Sequence, residues 1–115
     1  MIHIRNKRIW KGEGEYLGRP SPLGNPYQIG RDGTRLEVME KFERWLDRIL
    51  KEPPNHLSWN EQLAQTMFFD LLVKAEKDDL NLICWCAPAP CHLDIVKKKL
   101  ESLMEKRRHG HSGDI

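Results

Sequence analysis

Leu80-Asn81-Leu82-Ile83-Cys84-Trp85-Cys86-Ala87-Pro88-Ala89-Pro90-Cys91-His92-Leu93-Asp94 is the stretch that decides the fold. Residues 80–85 are a compact apolar run of the kind that fills a buried strand. Pro88 and Pro90 then bar regular structure. From about Cys91 onward, Leu93, Val96, Leu100 and Leu103 recur at helical spacing. Strand, tight loop and helix make up the repeating unit of a layered α/β domain, where ligands bind beyond the carboxyl ends of the strands. A helix start also offers unpaired N–H groups and a partial positive charge. The amides of Cys91, His92 and the residues after them are therefore expected to hold an anion, with His92 as an added donor.

Working outward, two more helices precede this unit. Thr34 and Glu37 form a capping box, followed by Val38, Met39, Phe42, Trp45, Leu46, Ile49 and Leu50 at helical spacing, until Pro53-Pro54 stops the helix. Ser58 and Glu61 repeat the signal ahead of Leu63, Met67, Leu71 and Ala75, with Phe68 and Leu72 beside them; Asp78-Asp79 ends that helix. Residues 2–5 alternate apolar and basic side chains and read as a short strand, and residues 15–18 as a second extended piece. The expected fold is a small Rossmann-like three-layer α/β domain, with a short, mostly parallel sheet flanked by three helices. One domain covers residues 1–108, and residues 109–115 are expected to be a disordered tail.

A second ordered segment precedes the first helix. Arg19-Pro20-Ser21-Pro22-Leu23-Gly24-Asn25-Pro26 has three prolines in seven residues, which excludes a helix interior or a central strand. Gly24 and Asn25 can turn the backbone. Arg19 can fork onto a phosphate or carboxylate. Ser21 and Asn25 are short polar groups on a loop that loses little entropy on binding. Arg5 and Asn6 end the first strand; if it runs parallel to residues 80–85, they reach the same rim. The structural alternative is a plain turn with Arg19 in a surface ion pair.

The cysteines allow several chemistries. Strand alternation puts Cys84 and Cys86 on one side and Trp85 on the other. A strand tryptophan is more often core than a stacking platform, so Trp85 is expected to be buried. Cys91 at a helix N-terminus could be a reactive thiolate. Cys84, Cys86, Cys91 and His92 could hold zinc, although C-x-C-x4-C-H is compressed beside the common separated ligand pairs, and no metal is assigned. In the structural alternative Cys84 is a small core residue, and Cys91 and Asp94 only cap the helix. The sequence has no Walker loop, G-x-G-x-x-G or H-E-x-x-H.

Composition narrows the partners. The 115 residues carry 19 basic and 17 acidic side chains, a net charge of +2, which gives no clustered basic face for duplex nucleic acid. No apolar run approaches a membrane span. Three cysteines, all within residues 84–91, do not make a secreted disulfide framework, so a reducing, cytoplasmic setting is expected.

The chain resembles a family of small phage and bacterial proteins, domain-of-unknown-function family 4326. The resemblance rests on Tyr16-Leu17-Gly18-Arg19-Pro20-Ser21-Pro22-Leu23-Gly24-Asn25-Pro26 and on Cys84 to Asp94, and it covers about residues 2–100. The family usually has glycine where Leu93 stands, so a leucine there is expected to narrow the approach to the helix start. A fainter likeness joins the chain to a second family with a Cys-His-Arg helix start, whose arginine Leu93 replaces. Both resemblances imply a Rossmann-like domain, and neither supplies a reaction or a cofactor.

The expected function is binding of a small anionic ligand of nucleotide or phosphosugar class. Arg5, Asn6, Arg19, Ser21, Gly24 and Asn25 would act from one side, and Cys86, Cys91 and His92 from the other. If the ligand is turned over, transfer or hydrolysis at a nucleotide is expected, with His92 or Asp94 as acid or base and Cys91 as the alternative nucleophile. The rival readings are a non-catalytic phage binder that sequesters a nucleotide and a zinc-stabilised interaction module. A sheet this small, with exposed edges, could also form a homodimer.

Overall fold

A computed structural model describes residues 1–86, 89 and 91–113, with side chains described as far as residue 108. Strands β1 (Ile2–Asn6), β2 (Glu15–Tyr16) and β3 (Leu80–Cys84) form a three-stranded sheet in the order β1-β3-β2. Both pairings are parallel, with Ile2 beside Leu80, Arg5 beside Ile83, and Glu15 beside Leu82. Helices α1 (Arg35–Lys51) and α2 (Trp59–Lys77) lie between β2 and β3 in sequence, and α3 (His92–Gly113) follows β3. The chain is therefore a small α/β domain with a short parallel sheet and three helices.

Strand alternation assigns the two faces of the sheet. Ile2, Leu80, Leu82 and Cys84 point to one face and join a single core cluster with side chains of all three helices, among them Phe42, Phe68, Leu93, Val96 and Leu100. The opposite face carries Arg5, Asn81 and Ile83 and is covered by the loop that crosses from β1 to β2. Within that loop Gly14 lies so close to β3 that a Cβ there would meet the Asn81 carbonyl and the Ile83 side chain, each at 2.7 Å. The layer opposite the helices is thus a loop. β1 and β2 run parallel on either side of β3, so the short loop between them crosses the back of β3.

The helix boundaries follow local rules. Thr34 and Ser58 cap α1 and α2, each in a full capping box with Glu37 and Glu61. Gly33 precedes Thr34 at φ 137°, where a side chain would be strained and would press on Glu37. The core stripe of α2 is Ala64, Phe68, Leu71, Leu72 and Ala75, while Leu63, expected on it, is exposed. Helix α3 extends beyond residue 108, where the sequence pattern placed a tail; the side chains of 109–115 lie outside the described residues. Among the described residues no helix is long and apolar enough to cross a membrane.

Glu61 links the first two helices. Besides its part in the capping box, its carboxylate accepts the Trp45 indole N–H at 3.0 Å and pairs with Arg48. Partial burial pushes this carboxyl up, but hydrogen bonds from Arg48, the Ser58 amide and Trp45 outweigh it and hold the group below the usual glutamate range. A depressed folded value means that Glu61 contributes stability above its ordinary value of 4.5 and loses it as pH falls through the folded value. Thermal melts of Glu61→Gln should therefore show a loss of about 1–2 kcal/mol at pH 7, shrinking toward zero in acid; an equal loss at all pH values would contradict this.

Candidate functional site

The site begins where β3 ends. Cys91 sits just before the first residue of α3 and acts as its cap: its amide donates to the Asp94 carboxylate at 2.9 Å, and its sulfur accepts the Leu93 amide at 3.4 Å. This is half of a capping box: the Asp94 carboxylate returns to the cap amide, while the Cys91 sulfur takes the Leu93 amide one residue earlier than a full box would. The Asp94 amide closes onto the Cys91 carbonyl at 3.0 Å. Three amides expected to hold an anion, those of Cys91, Leu93 and Asp94, are therefore already used within the turn. Asp94 serves the cap and does not line the cavity described below. Leu93 is fully buried in the core, so it does not narrow the approach to the helix start.

His92 ties the start of α3 to the exit of β2. Its Nε2 lies 2.7 Å from the Leu17 carbonyl, which can only accept, so Nε2 carries the hydrogen. The ring stands edge-on to Phe42 at 5.2 Å and is 7% exposed. Burial lowers the imidazole pKa, and Arg19 adds to the effect against the opposing pull of the Leu17 carbonyl and Asp94. The ring is neutral at pH 7, which leaves Nδ1 as a lone-pair acceptor. His92 also lines the space beside it.

That space is a cavity of about 280 Å³. Gly18, Arg19 and Asn25 from the proline-braced loop form one wall, with Cys84, Trp85, Cys86, Cys91 and His92 facing them. Tyr27, Ile29 and the first two turns of α1, through Arg35, Val38 and Met39, complete it. Gly18 lets the Tyr16 ring pack over the backbone at the rim, since a Cβ there would lie 2.3 Å from the Tyr16 hydroxyl. That hydroxyl donates to the Arg19 carbonyl at 3.0 Å and accepts the Trp85 indole N–H at 3.2 Å, which ties the rim together. Trp85, expected in the core, is 52% exposed at this rim because β3 stops at Cys84. Two guanidinium-bearing residues, Arg19 and Arg35, line the cavity, and no described lining residue is acidic.

The structure brings together Arg19, Asn25, Cys86, Cys91 and His92 but not the other residues expected to bind. Arg5 shares a face with Ile83, away from the helices, where it bonds to Asn81 at 2.9 Å and stacks on Trp10 at 4.0 Å. Asn6 donates to the Trp85 carbonyl and accepts the Arg8 amide, outside the cavity. Ser21 faces α2, with its hydroxyl 3.5 Å from the Met67 sulfur. Gly24 packs against the Arg19 backbone, where a Cβ would come within 3.0 Å of the Arg19 nitrogen, so it closes the turn rather than touching a ligand. Asn25 reaches the cavity, but its side chain is committed to the Tyr27 amide and the Val38 carbonyl, which makes it a positioning residue.

Tyr27, Ile29, Arg35, Val38 and Met39 were not expected at the site. One signal pointed to Arg35: a cation in the first turn of a helix opposes the helix dipole and so suggests another use.

The sulfurs of Cys84, Cys86 and Cys91 lie within 4.8 Å of one another, with Cys84 and Cys91 at 3.5 Å. His92 falls outside this set, which corrects the four-ligand arrangement of the sequence reading. The adjacent Cys84 and burial both push the Cys91 thiol up, so it is held protonated and is no activated nucleophile. Alkylation of the native, reduced protein in chelator should therefore modify Cys86 first and leave Cys84 and Cys91 protected until unfolding. Equal labelling of all three would contradict the packing.

No curated protein matches this chain, and no solved structure does. A family model matches residues 2–102, nearly its whole length. The chain belongs to the domain-of-unknown-function family DUF4326.

Proposed function

We propose that the chain binds a small anionic ligand, of nucleotide or phosphosugar class, in the cavity beyond the carboxyl end of β3. The observation that carries this reading is the lining: Arg19 and Arg35 on a cavity with aromatic side chains and no described carboxylate. Guanidinium forks suit phosphate oxygens. Tyr16, Tyr27 and the exposed Trp85 offer ring faces for a base or sugar. The volume lies at the small end of the ligand-pocket range, which fits one nucleotide-sized molecule better than a polymer.

The anion is read here chiefly by side chains, because the amides of Cys91, Leu93 and Asp94 serve the cap of α3. His92 Nδ1 accepts a hydroxyl hydrogen from the ligand. Were the ligand turned over, this nitrogen would be the base at hand, since Asp94 and Cys91 are committed elsewhere.

Thermal-shift titrations in chelator, with inorganic phosphate, nucleoside monophosphates and the matching nucleosides, test the reading. Phosphorylated ligands should stabilise the protein more than the nucleosides do. Losing one charge-assisted contact, about 1.5–3 kcal/mol, should weaken binding roughly 10- to 150-fold in Arg19→Ala. Ser21→Ala should bind like the parent. Equal stabilisation by nucleosides, or an unchanged response in Arg19→Ala, would overturn the proposal.

A further inference from the structure

We infer that Cys84, Cys86 and Cys91 form a three-thiolate site for one zinc-class cation, with its fourth coordination position open to the cavity. Only the last clause rests on the pocket reading above. The geometry comes first. A tetrahedral zinc with Zn–S of about 2.3 Å places its sulfurs ~3.8 Å apart. The three Sγ atoms lie within 4.8 Å of one another and Cys84–Cys91 is at 3.5 Å, so they bracket that spacing. A four-iron cluster carries its thiolates on separate iron atoms and does not fit so tight a set.

Two of the three sulfurs are already met by backbone N–H groups. Cys84 accepts the Cys86 amide and Cys91 accepts the Leu93 amide, each at 3.4 Å and each from two residues on. Backbone N–H groups aimed at sulfur are the outer-shell partners that orient and stabilise metal thiolates. Cys91 also sits at the positive end of α3. Three thiolates on a divalent cation leave a net charge of −1, which the helix start and Arg19 offset.

The set is also reachable. Cys84 and Cys91 are buried, Cys86 is exposed, and all three line the cavity. A cation enters past Cys86, and each thiol gives its proton to solvent as its sulfur binds, with no change of redox state. His92 does not supply the fourth ligand, because Nε2 is held by the Leu17 carbonyl and the ring lies outside the set. Three protein ligands and one open position characterise a working site rather than a purely structural one. The open position takes water or a donor atom of the cavity's ligand.

Cobalt(II) added to the reduced full-length chain is the probe. One Co²⁺ per chain should bind with a near-ultraviolet thiolate-to-cobalt charge-transfer band, visible bands of tetrahedral strength and release of three protons; Zn²⁺ should displace it. Azide should shift the visible bands, because the fourth position is open. Cys86→Ser, a change at an exposed residue, should weaken binding by about 10- to 100-fold or more. His92→Gln should keep the stoichiometry and the charge-transfer band.

Absence of the charge-transfer band at saturating cobalt would overturn the site. Its persistence at parental affinity in Cys86→Ser would do the same, as would its loss in a His92→Gln chain that circular dichroism shows to be folded. Anion-induced stabilisation in chelator does not depend on the cation, so the two proposals fail separately.

Discussion

The hydrogen bond from His92 Nε2 to the Leu17 carbonyl spans 75 residues of sequence and joins the exit of β2 to the first residue of α3. Both groups are buried, so neither has water to fall back on. Removing the imidazole would strand a buried carbonyl, a loss of about 1–3 kcal/mol. The bond also fixes the ring chemically. Burial keeps it neutral, the carbonyl keeps the hydrogen on Nε2, and Nδ1 becomes the nitrogen available to a ligand. With the Tyr16–Trp85 bond at the rim, this link holds the exit of β2 against the start of α3 and so sets the width of the cavity between them.

Around that link the sheet divides the chemistry in two. Residues one position apart on β1 face opposite ways, so Ile4 packs toward the helices while Arg5 meets the crossing loop. The loop face collects cation–aromatic pairs: Arg5 on Trp10, Lys7 near Tyr16 and Arg8 near Trp85. Tyr16 and Trp85 belong to both worlds, since their hydrogen-bonded rings also form the rim of the cavity. The helix face is apolar until β3 ends. Only there do Cys84, His92 and the α1 start converge.

Much of this was legible in the residues because it is local. The Thr34/Glu37 and Ser58/Glu61 boxes, the proline stop at Pro53 and the apolar run into Cys84 each specify structure over a few residues, and the structure follows them. The meeting of the Arg19 loop with the α3 start was also readable, since parallel strands deliver their carboxyl ends to one edge. What could not be read depends on which face a side chain takes and what packs on it. Arg5 needed the pairing with Ile83, Ser21 needed the position of Met67, and Arg35 needed the path of α1. Three of the amides at the start of α3 are used for a local reason: Cys91 and Asp94 stand at capping-box spacing and engage those of Cys91, Leu93 and Asp94. Trp85 escaped the core because β3 ends one residue early.

The most direct measurement is nitrogen-detected NMR of the histidine rings across pH. His92 should show a single neutral tautomer, hydrogen on Nε2 and a bare Nδ1, and should stay neutral as pH falls below the ordinary histidine value of 6.5. Averaged tautomers, with protonation at or above the ordinary histidine value, would mean that the ring is not anchored to Leu17, and that loop and helix are not joined as described.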